Sequence, residues 1–465
     1  MFSWSNIKES YFSSGGLGEF LKIAVPVIIS SYVVAVQIFT DRVFLSMYSQ
    51  VSYAASIPAG LCNSTLEYLF LFTIAYVDVF IAQYYGKKEY RSIGPAVWQS
   101  IYLAIAAAAI ILAFVPFSEK IFINVGHATD IAVEEVKYFK TLCYGAFFPI
   151  AATAFSGFYS GRGKTYVTLL VSLCGVTFNI ILDYCLIFGR FSFPELGITG
   201  AAWASNISYI LMFFIYLFLV VSKKNAHTYK TRHIKPDINI FKRLLKFGFP
   251  NGITVFFDTV EFAIFMLIIG TLGILELTAS NIAFSVYNII VMPIVGAGVA
   301  TSIMVGNYLG QNKASIAQKS VSTSLKSIYA YVLVIVVLVF LFSTQLISPF
   351  LTNSQTPLEE LMPMSINLLR VIAIYMIFDA GNLTFQFAIK GAGDTAFVMK
   401  VFVALSLILV IIPTYLIISV FKMGVYAAWI MTMSYVVALF TIFYFRYKSG
   451  KWKKMRVIDM KVVEE

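Results

Sequence analysis

The chain contains 465 residues, of which 59% are hydrophobic and only 12% are charged, and its mean hydropathy is +0.83. This composition excludes a chain of soluble domains and indicates an integral membrane protein. The formal net charge of +11 does not indicate a nucleic-acid partner, because the basic residues follow a membrane topology pattern described below.

Twelve apolar segments are long enough to cross a bilayer, which takes about 20 predominantly apolar residues. We number them spans 1 to 12 in chain order; they cover residues 20–45, 54–84, 93–116, 141–160, 166–189, 197–222, 244–272, 277–308, 320–347, 363–389, 396–420 and 424–445. We therefore predict an all-α membrane protein with twelve transmembrane helices. The four cysteines lie inside these spans, which suits small buried residues better than disulfides or a metal site; they are Cys62, Cys143, Cys174 and Cys185.

The Lys and Arg residues are concentrated in alternate loops. The amino terminus, the loops after even-numbered spans and the carboxyl tail hold 23 of them, whereas the loops after odd-numbered spans hold five. Because positive charge marks the cytoplasmic side, we predict a multi-pass protein of the plasma (inner) membrane with both termini cytoplasmic. The tail sequence RYKSGKWKKMR could also attract anionic lipid.

The sequence repeats itself after about 225 residues. AQYYGKKEYRSI (82–93) aligns with GNYLGQNKASIA (306–317), and GAAWASNISY (200–209) aligns with YAAWIMTMSY (426–435). Each copy contains six spans, so both copies have the same orientation, as in transporters whose lobes are related by a pseudo-twofold axis along the membrane normal. We predict an N-lobe over 1–222, a cytoplasmic linker over 223–243 that lets the lobes move, a C-lobe over 244–445 and a basic cytoplasmic tail over 446–465.

The stretch GFYSGRGKT (157–165) is similar to a phosphate-binding loop but differs in spacing. Five residues separate Gly157 from Gly163, whereas the P-loop has four. The second copy, FAIKGAGDT (387–395), has Asp394 where the first has Lys164, and an acid would repel a phosphate. We interpret the shared Gly-x-Gly-x-Thr as a tight cytoplasmic turn that needs positive φ, and we expect no use of ATP.

Ionisable residues inside the spans are candidate functional residues, because each costs about 2.5 to 3.5 kcal/mol on insertion scales. Acids outnumber bases, which favours a site for small cations, protons or positively charged organic molecules. The candidates are Asp41, Arg42, Glu67, Asp78, Asp183, Asp258, Glu261, Arg370 and Asp379.

Helical spacing places several of these residues in two groups. Asn179 and Asp183 are four apart and share a helix face, and with Asp41 they would present the oxygen ligands that hard cations prefer. Asp258 and Glu261 share a face of span 7, where Asp379 of span 10 could meet them. We predict coupling of Na⁺ or H⁺ at Asp41, Asn179, Asp183, Asp258 and Asp379, with Na⁺ in either group. Secondary roles, or hydrogen bonds between helices, are predicted for Glu261, Asp78 and Glu67.

Several motifs together resemble those of the multidrug and toxic compound extrusion (MATE) transporters. They are AQYYGKKEYRSIG after span 2, NIILDYCLIFG in span 5, FGFPNGITVFFD in span 7, VGNYLGQNKA after span 8 and KGAGDT after span 10. The resemblance implies a secondary antiporter that expels organic, often cationic and amphipathic compounds in exchange for Na⁺ or H⁺. Asp41, Asn179 and Asp183 match the cation site of DinF-like members, whereas Asp258 and Asp379 match the acids of NorM-like members.

Alternative functions remain open at this stage. A lipid-linked oligosaccharide flippase of the same superfamily would line its cavity with Arg and Lys, and the deep bases are few. An intramembrane enzyme would need a carboxylate cluster holding Mg²⁺ or a histidine motif, and a channel would need a filter segment. We therefore expect a transporter without enzymatic activity or cofactor, acting as a monomer on small organic molecules within the lipid bilayer.

Overall fold

The computed structural model describes residues 11, 13–124, 126–351 and 357–459. Within these residues the chain is almost entirely helical and contains no β-strand. In the described part of the chain, eleven helices are long and apolar enough to cross a membrane, and a bent helix pair, counted as one span, makes twelve. The predicted all-α fold with twelve spans is confirmed.

The observed helices keep the order of the predicted spans. Spans 1 to 6 are Leu17–Tyr48, Gln50–Gly86, Tyr90–Ile123, the pair Thr129–Gly145 and Phe147–Ser160, Thr165–Phe188, and Ile198–Val220. Spans 7 to 12 are Ile238–Gly270, Ile274–Gly310, Ala314–Leu351, Leu358–Ala392, Thr395–Val420 and Val425–Lys448. A short helix, Lys223–Tyr229, lies between spans 6 and 7.

Several spans depart from straight α-helices, spans 2, 4 and 11 among them. Span 2 is broken at Tyr76, and span 4 is bent by 42° between its two helices. The first helix of span 4 begins at Thr129 rather than 141, because its charged residues hide it from an apolar-segment count. Span 11 is π-helical over Ser406–Ile411 and Leu416–Val420, on both sides of Pro413. Proline lacks the N–H that an α-helix uses, so the neighbouring backbone adopts another hydrogen-bond pattern.

Span 7 begins at Ile238, before the apolar stretch that starts at 244. The carboxylate of Asp237 accepts hydrogen bonds from the N–H groups of Asn239 and Ile240 at 3.0 and 3.1 Å. This is helix N-capping, which satisfies donors that the first turn cannot pair internally. The helix therefore extends into the segment predicted as linker.

The rest of that segment is anchored on span 3. Trp98 Nε1 donates to Thr231 O at 2.6 Å, and Gln99 Nε2 donates to Lys235 O at 3.2 Å. Thr231 is fully buried and donates its hydroxyl to Val220 O at 2.7 Å. Side-chain donors on span 3 thus hold the segment in place, although its polar and basic composition is typical of a solvent-exposed loop.

The chain forms two compact units. The N unit comprises Ile29–Phe256 and the chain from Val457 onwards, and the C unit comprises the chain up to Ile28 and Phe257–Arg456. Spans 1 and 7 each contribute one segment to each unit. This division differs from the lobe boundaries at 222 and 244, which follow the loops and stay a prediction.

Residues of the carboxyl tail belong to the core of the N unit. Val457 and Ile458 are buried and pack in the same apolar cluster as Phe80. Val457 N donates to Gln83 Oε1 at 2.9 Å, and Arg243 Nε donates to Val457 O at 2.8 Å. Val457 and Ile458 are therefore structural components of the N unit.

The two Gly-x-Gly-x-Thr turns have the same construction in the two units. Gly163 and Gly393 have φ values of +72° and +112°, as the turn interpretation predicted. Gly161 and Gly391 instead permit close helix packing, since a Cβ at Gly391 would lie 2.6 Å from Ser302 O. A Cβ at Gly161 would be closer still to the carbonyl oxygen of Asp78. Each copy of the repeat therefore has one glycine that allows a positive φ in the turn and one that allows two helices to pack closely.

Candidate functional site

Two carboxylates and an amide form a buried polar cluster in the N unit. Asn179 and Asp183 of span 5 are fully buried, and Asp41 of span 1 is 9% exposed. The carboxyl groups of Asp41 and Asp183 lie close enough to interact electrostatically. The structure brings these three predicted residues together.

The Asn179 amide links the two carboxyl groups. Its nitrogen donates to Asp41 Oδ1 at 3.1 Å and Asp183 Oδ2 at 3.2 Å, and its oxygen accepts from Ser205 N at 3.3 Å. Both carboxyl groups therefore have the same N–H partner on span 5.

A third N-unit acid, Glu67, lies in a separate hydrogen-bond chain. Asn63 Nδ2 donates to Glu67 Oε2 at 3.3 Å, and Cys143 Sγ donates to Asn63 Oδ1 at 3.5 Å. Tyr209 interacts electrostatically with both Glu67 and Asp41. Glu67 is therefore hydrogen-bonded to the Asn63 amide. It is connected to the cluster of Asp41, Asn179 and Asp183 through the electrostatic interactions of Tyr209.

The remaining predicted ionisable residues have other surroundings. Asp78 lies in the first turn of the helix that follows the break in span 2, a position where a carboxylate stabilises the helix start. Arg42 is exposed and interacts electrostatically with Asp41. Arg370 is exposed and lies 5.9 Å from the ring centroid of Phe340.

Asp379 of span 10 accepts a hydrogen bond on each of its carboxyl oxygens. Tyr287 Oη donates to its Oδ2 at 2.9 Å, and Asn382 Nδ2 donates to its Oδ1 at 3.0 Å. The rings of Tyr287 and Tyr375 lie 5.6 Å apart, edge to face. Sequence reasoning missed both donors, because uncharged polar residues inside apolar spans carry no signal of their own.

Asp258 of span 7 differs from Asp379 because its side chain is exposed. It interacts electrostatically with Asp379 and with Lys390, a buried residue in the last turn of span 10. The predicted span 10 ends at residue 389, so the sequence placed Lys390 in the cytoplasmic turn that follows. The exposed carboxylate of Asp258 thus lies within electrostatic range of one fixed acid and one buried base.

Glu261, one turn after Asp258, is 8% exposed and has its own partners. Its Oε2 accepts hydrogen bonds from Ser406 Oγ and, at 3.2 Å, from Tyr435 Oη. Ser406 is the first residue of the π-helical segment of span 11. The predicted group of Asp258, Glu261 and Asp379 is therefore divided, since Glu261 and Asp379 each have separate donors.

The turn GFYSGRGKT also holds a buried base. The guanidinium of Arg162 lies 3.7 Å from the ring centroid of Phe158 and 4.5 Å from that of Tyr229. Its Nε donates to Phe158 O at 2.6 Å. Arg162 is therefore packed among aromatic rings, whereas Lys164 is exposed.

Within the described residues, no cluster of three or more His, Cys, Asp or Glu side chains has the arrangement of a metal site. The polar clusters found here consist of paired or single carboxylates with amide and hydroxyl partners. Such sites suit protons or a weakly held monovalent cation better than a transition metal.

The chain is similar to known transport proteins. The family model described as MatE matches residues 26–185 and 250–416, which together make up more than half of the chain. The Thermotoga maritima protein named "Probable multidrug resistance protein NorM" is 26% identical over 454 residues, covering 96% of this chain and 95% of that protein. The Vibrio cholerae protein named "Multidrug resistance protein NorM" is 27% identical over 391 residues, covering 83% and 84%.

Solved structures of similar fold cover nearly the whole chain. A multidrug resistance MATE family transporter of the MOP superfamily, in its outward-facing conformation, superimposes with a TM-score of 0.85 at 17% identity, covering 98% of this chain and all of the other. A MOP superfamily transporter from Pyrococcus furiosus superimposes with a TM-score of 0.85 at 18% identity and the same coverage. At such identities the likeness concerns the fold alone.

Proposed function

Because this chain belongs to the MatE family of multidrug efflux transporters, we propose that it expels organic, cationic and amphipathic compounds in exchange for H⁺ or Na⁺. It is a multi-pass membrane protein whose named relatives are multidrug resistance proteins. The charge distribution between loops supports a plasma membrane location with both termini in the cytoplasm.

The observation that carries this proposal is the buried cluster of Asp41, Asn179 and Asp183. Two carboxyl groups within electrostatic range of each other in a low-dielectric interior repel each other strongly when both are charged, so the cluster favours binding a proton or a cation. An organic cation that needs the same negative charge, or the opposite conformation, then lowers the affinity for the ion. By linkage the ion lowers the affinity for the organic cation by the same factor, which is the thermodynamic basis of exchange.

The Asn179 amide supports a carboxyl pair that shares one proton. Its nitrogen donates to both Asp41 and Asp183, at 3.1 and 3.2 Å, and an N–H donor cannot serve as a ligand of Na⁺. These contacts favour H⁺ as the coupling ion.

In the C unit, Asp379 and Asp258 have complementary properties. Asp379 is held by Tyr287 and Asn382, so its orientation is fixed. Asp258 is exposed and is available to a positively charged compound. We propose that these two acids attract the organic cation and contribute to ion coupling.

The decisive experiment is ethidium exchange in proteoliposomes with an imposed pH or Na⁺ gradient. We expect a pH gradient to drive ethidium movement, and we expect Asp41→Asn and Asp379→Asn each to reduce its rate at least tenfold while membrane levels stay unchanged. Arg370→Gln, at an exposed position in span 10, is the matched control and should keep the rate. Full activity of both aspartate variants would refute carboxylate coupling. No movement of ethidium or other organic cations under either gradient would refute the transport proposal itself.

A further inference from the structure

Glu261 takes part in a triangle of oxygen atoms inside the C unit. Ser406 Oγ and Tyr435 Oη both contact Glu261 Oε2, and they lie 3.2 Å from each other. The three residues come from spans 7, 11 and 12, and all are buried. Three contacts of hydrogen-bond length therefore join three oxygen atoms.

The number of protons shared among these three oxygen atoms depends on whether the Glu261 carboxyl group is protonated. Ser406 and Tyr435 bring one hydroxyl proton each. If Glu261 is ionised, both protons point at Oε2 and the contact between the hydroxyls has no proton. If Glu261 is protonated, Ser406 donates to Glu261, Glu261 donates to Tyr435, and Tyr435 donates to Ser406, so all three contacts are hydrogen bonds.

These two states differ only in the direction of hydroxyl and carboxyl hydrogens. The heavy atoms need not move, so the triangle accommodates both the charged and the neutral carboxyl group. A purely structural polar contact does not need this property. We propose that Glu261 is a proton-carrying residue of the transport cycle, and this inference rests on the proposed exchange function.

The proton can come to Glu261 from Asp258. Asp258 lies one turn earlier on the same helix face, and it is exposed and interacts electrostatically with Glu261. In the transfer step the O–H bond at the Asp258 carboxyl breaks and an O–H bond forms at Glu261. The negative charge moves from buried Glu261 to exposed Asp258, where an organic cation can pair with it.

The charged and titratable surroundings of Glu261 are few. Asp258 acts on it from span 7 and the Tyr435 phenol from span 12, whereas span 11 faces it with the uncharged hydroxyl of Ser406. Ser406 begins the π-helical segment of span 11. Local π-helical turns frequently accompany functional positions, and here the altered helical geometry begins at the residue that contacts the carboxylate.

The test is infrared difference spectroscopy of the purified protein in liposomes during a pH titration. A protonated carboxylic acid has a carbonyl stretch that a carboxylate lacks. We expect a pH-dependent component of this band in the wild type, its loss in Glu261→Gln, and its retention in Glu276→Gln at the start of span 8. In Tyr435→Phe the component should persist at a shifted frequency. An unchanged band in Glu261→Gln would overturn the proposal.

A transport measurement separates a proton-carrying role from a structural one. Glutamine keeps the shape of glutamate and mimics its protonated state, so Glu261→Gln should flatten the dependence of ethidium exchange on pH while the protein folds normally. A rate–pH curve identical to wild type would contradict the inference. If the wild type moves no ethidium, the proposed function fails, and the infrared titration still decides whether Glu261 takes up a proton.

Discussion

The glycine at position 161 permits a quantitative test of what the cytoplasmic turn contributes. Its backbone is α-helical, with φ of −61°, so alanine meets no conformational strain there. At an open helical position the exchange would be favourable by up to about 1 kcal/mol. At Gly161, however, the new Cβ would lie 2.8 Å from Ile81 Cβ and closer to Asp78 O. Both atoms belong to or adjoin the backbone and cannot rotate away.

Overpacking of this kind costs about 1 to 3 kcal/mol. For a unit of this size, each kcal/mol corresponds to about 2 to 4 °C in Tm, so we expect Gly161→Ala to lower the Tm by about 2 to 12 °C. The assay is thermal unfolding of the detergent-purified protein, followed with a dye that reacts with cysteines as they become exposed. Gly391→Ala should behave similarly, because its Cβ would lie 2.6 Å from Ser302 O.

Gly60→Ala is the matched control. It lies in span 2 of the same unit, and its Cβ would meet only Tyr138 Cε1 at 3.8 Å, an ordinary van der Waals contact. It should leave the Tm unchanged or raise it slightly. If Gly161→Ala is as stable as Gly60→Ala, the close approach to Asp78 does not constrain the residue, and the reasoning fails.

Two further changes test the C-unit acid and the tail. Tyr287→Phe removes a hydrogen bond to the Asp379 carboxylate, a type worth about 1.5 to 3 kcal/mol, so ethidium affinity measured by fluorescence titration should fall about 10- to 150-fold. Tyr331→Phe, which loses a bond to the neutral Ile290 O, should not change it, and equal affinities in both variants would contradict the role of Tyr287. Val457→Asp places a charge at a fully buried position and should lower the Tm by several degrees. Lys454→Asp, at an exposed position, should not, and a stable Val457→Asp would refute the buried tail.

The spans and one polar cluster could be predicted from sequence because their signals are local. Apolar length defines a span, and the four-residue spacing of Asn179 and Asp183 defines a shared helix face. Asp41 could be predicted because an acidic side chain inside a membrane span has an unfavourable insertion free energy. These inferences need only the hydrophobic effect and helix geometry.

The partners of the C-unit acids were not predictable in the same way. Tyr287 and Asn382 are uncharged, and nothing in their local sequence marks them as donors to Asp379. The pairing of Glu261 with Ser406 and Tyr435 depends on how three distant helices pack. Local pattern gives the face of a helix on which an acid lies, but only tertiary structure gives the residue opposite.

The anchoring of the segment after span 6 was not predictable for a related reason. Its polar and basic residues predict a cytoplasmic linker, which stays a prediction, whereas the hydrogen bonds from Trp98 and Gln99 use its backbone carbonyls, which every sequence possesses. Likewise, the N-cap at Asp237 extends span 7 beyond its apolar stretch. Hydrogen bonds made by backbone groups do not depend on residue type, so amino-acid composition cannot predict them.

The assignment of residues 457 and 458 to the N unit affects when that unit can finish folding during synthesis. The N unit includes Val457 and Ile458, and the C unit includes the chain up to Ile28. Since a ribosome completes the amino-terminal half long before residue 457 is made, the N unit must wait for Val457 and Ile458 to fill its core. Two separately expressed halves, divided after residue 222, would each lack a piece that the other carries, and a tag fused directly after residue 456 would occupy the place of that final packing segment.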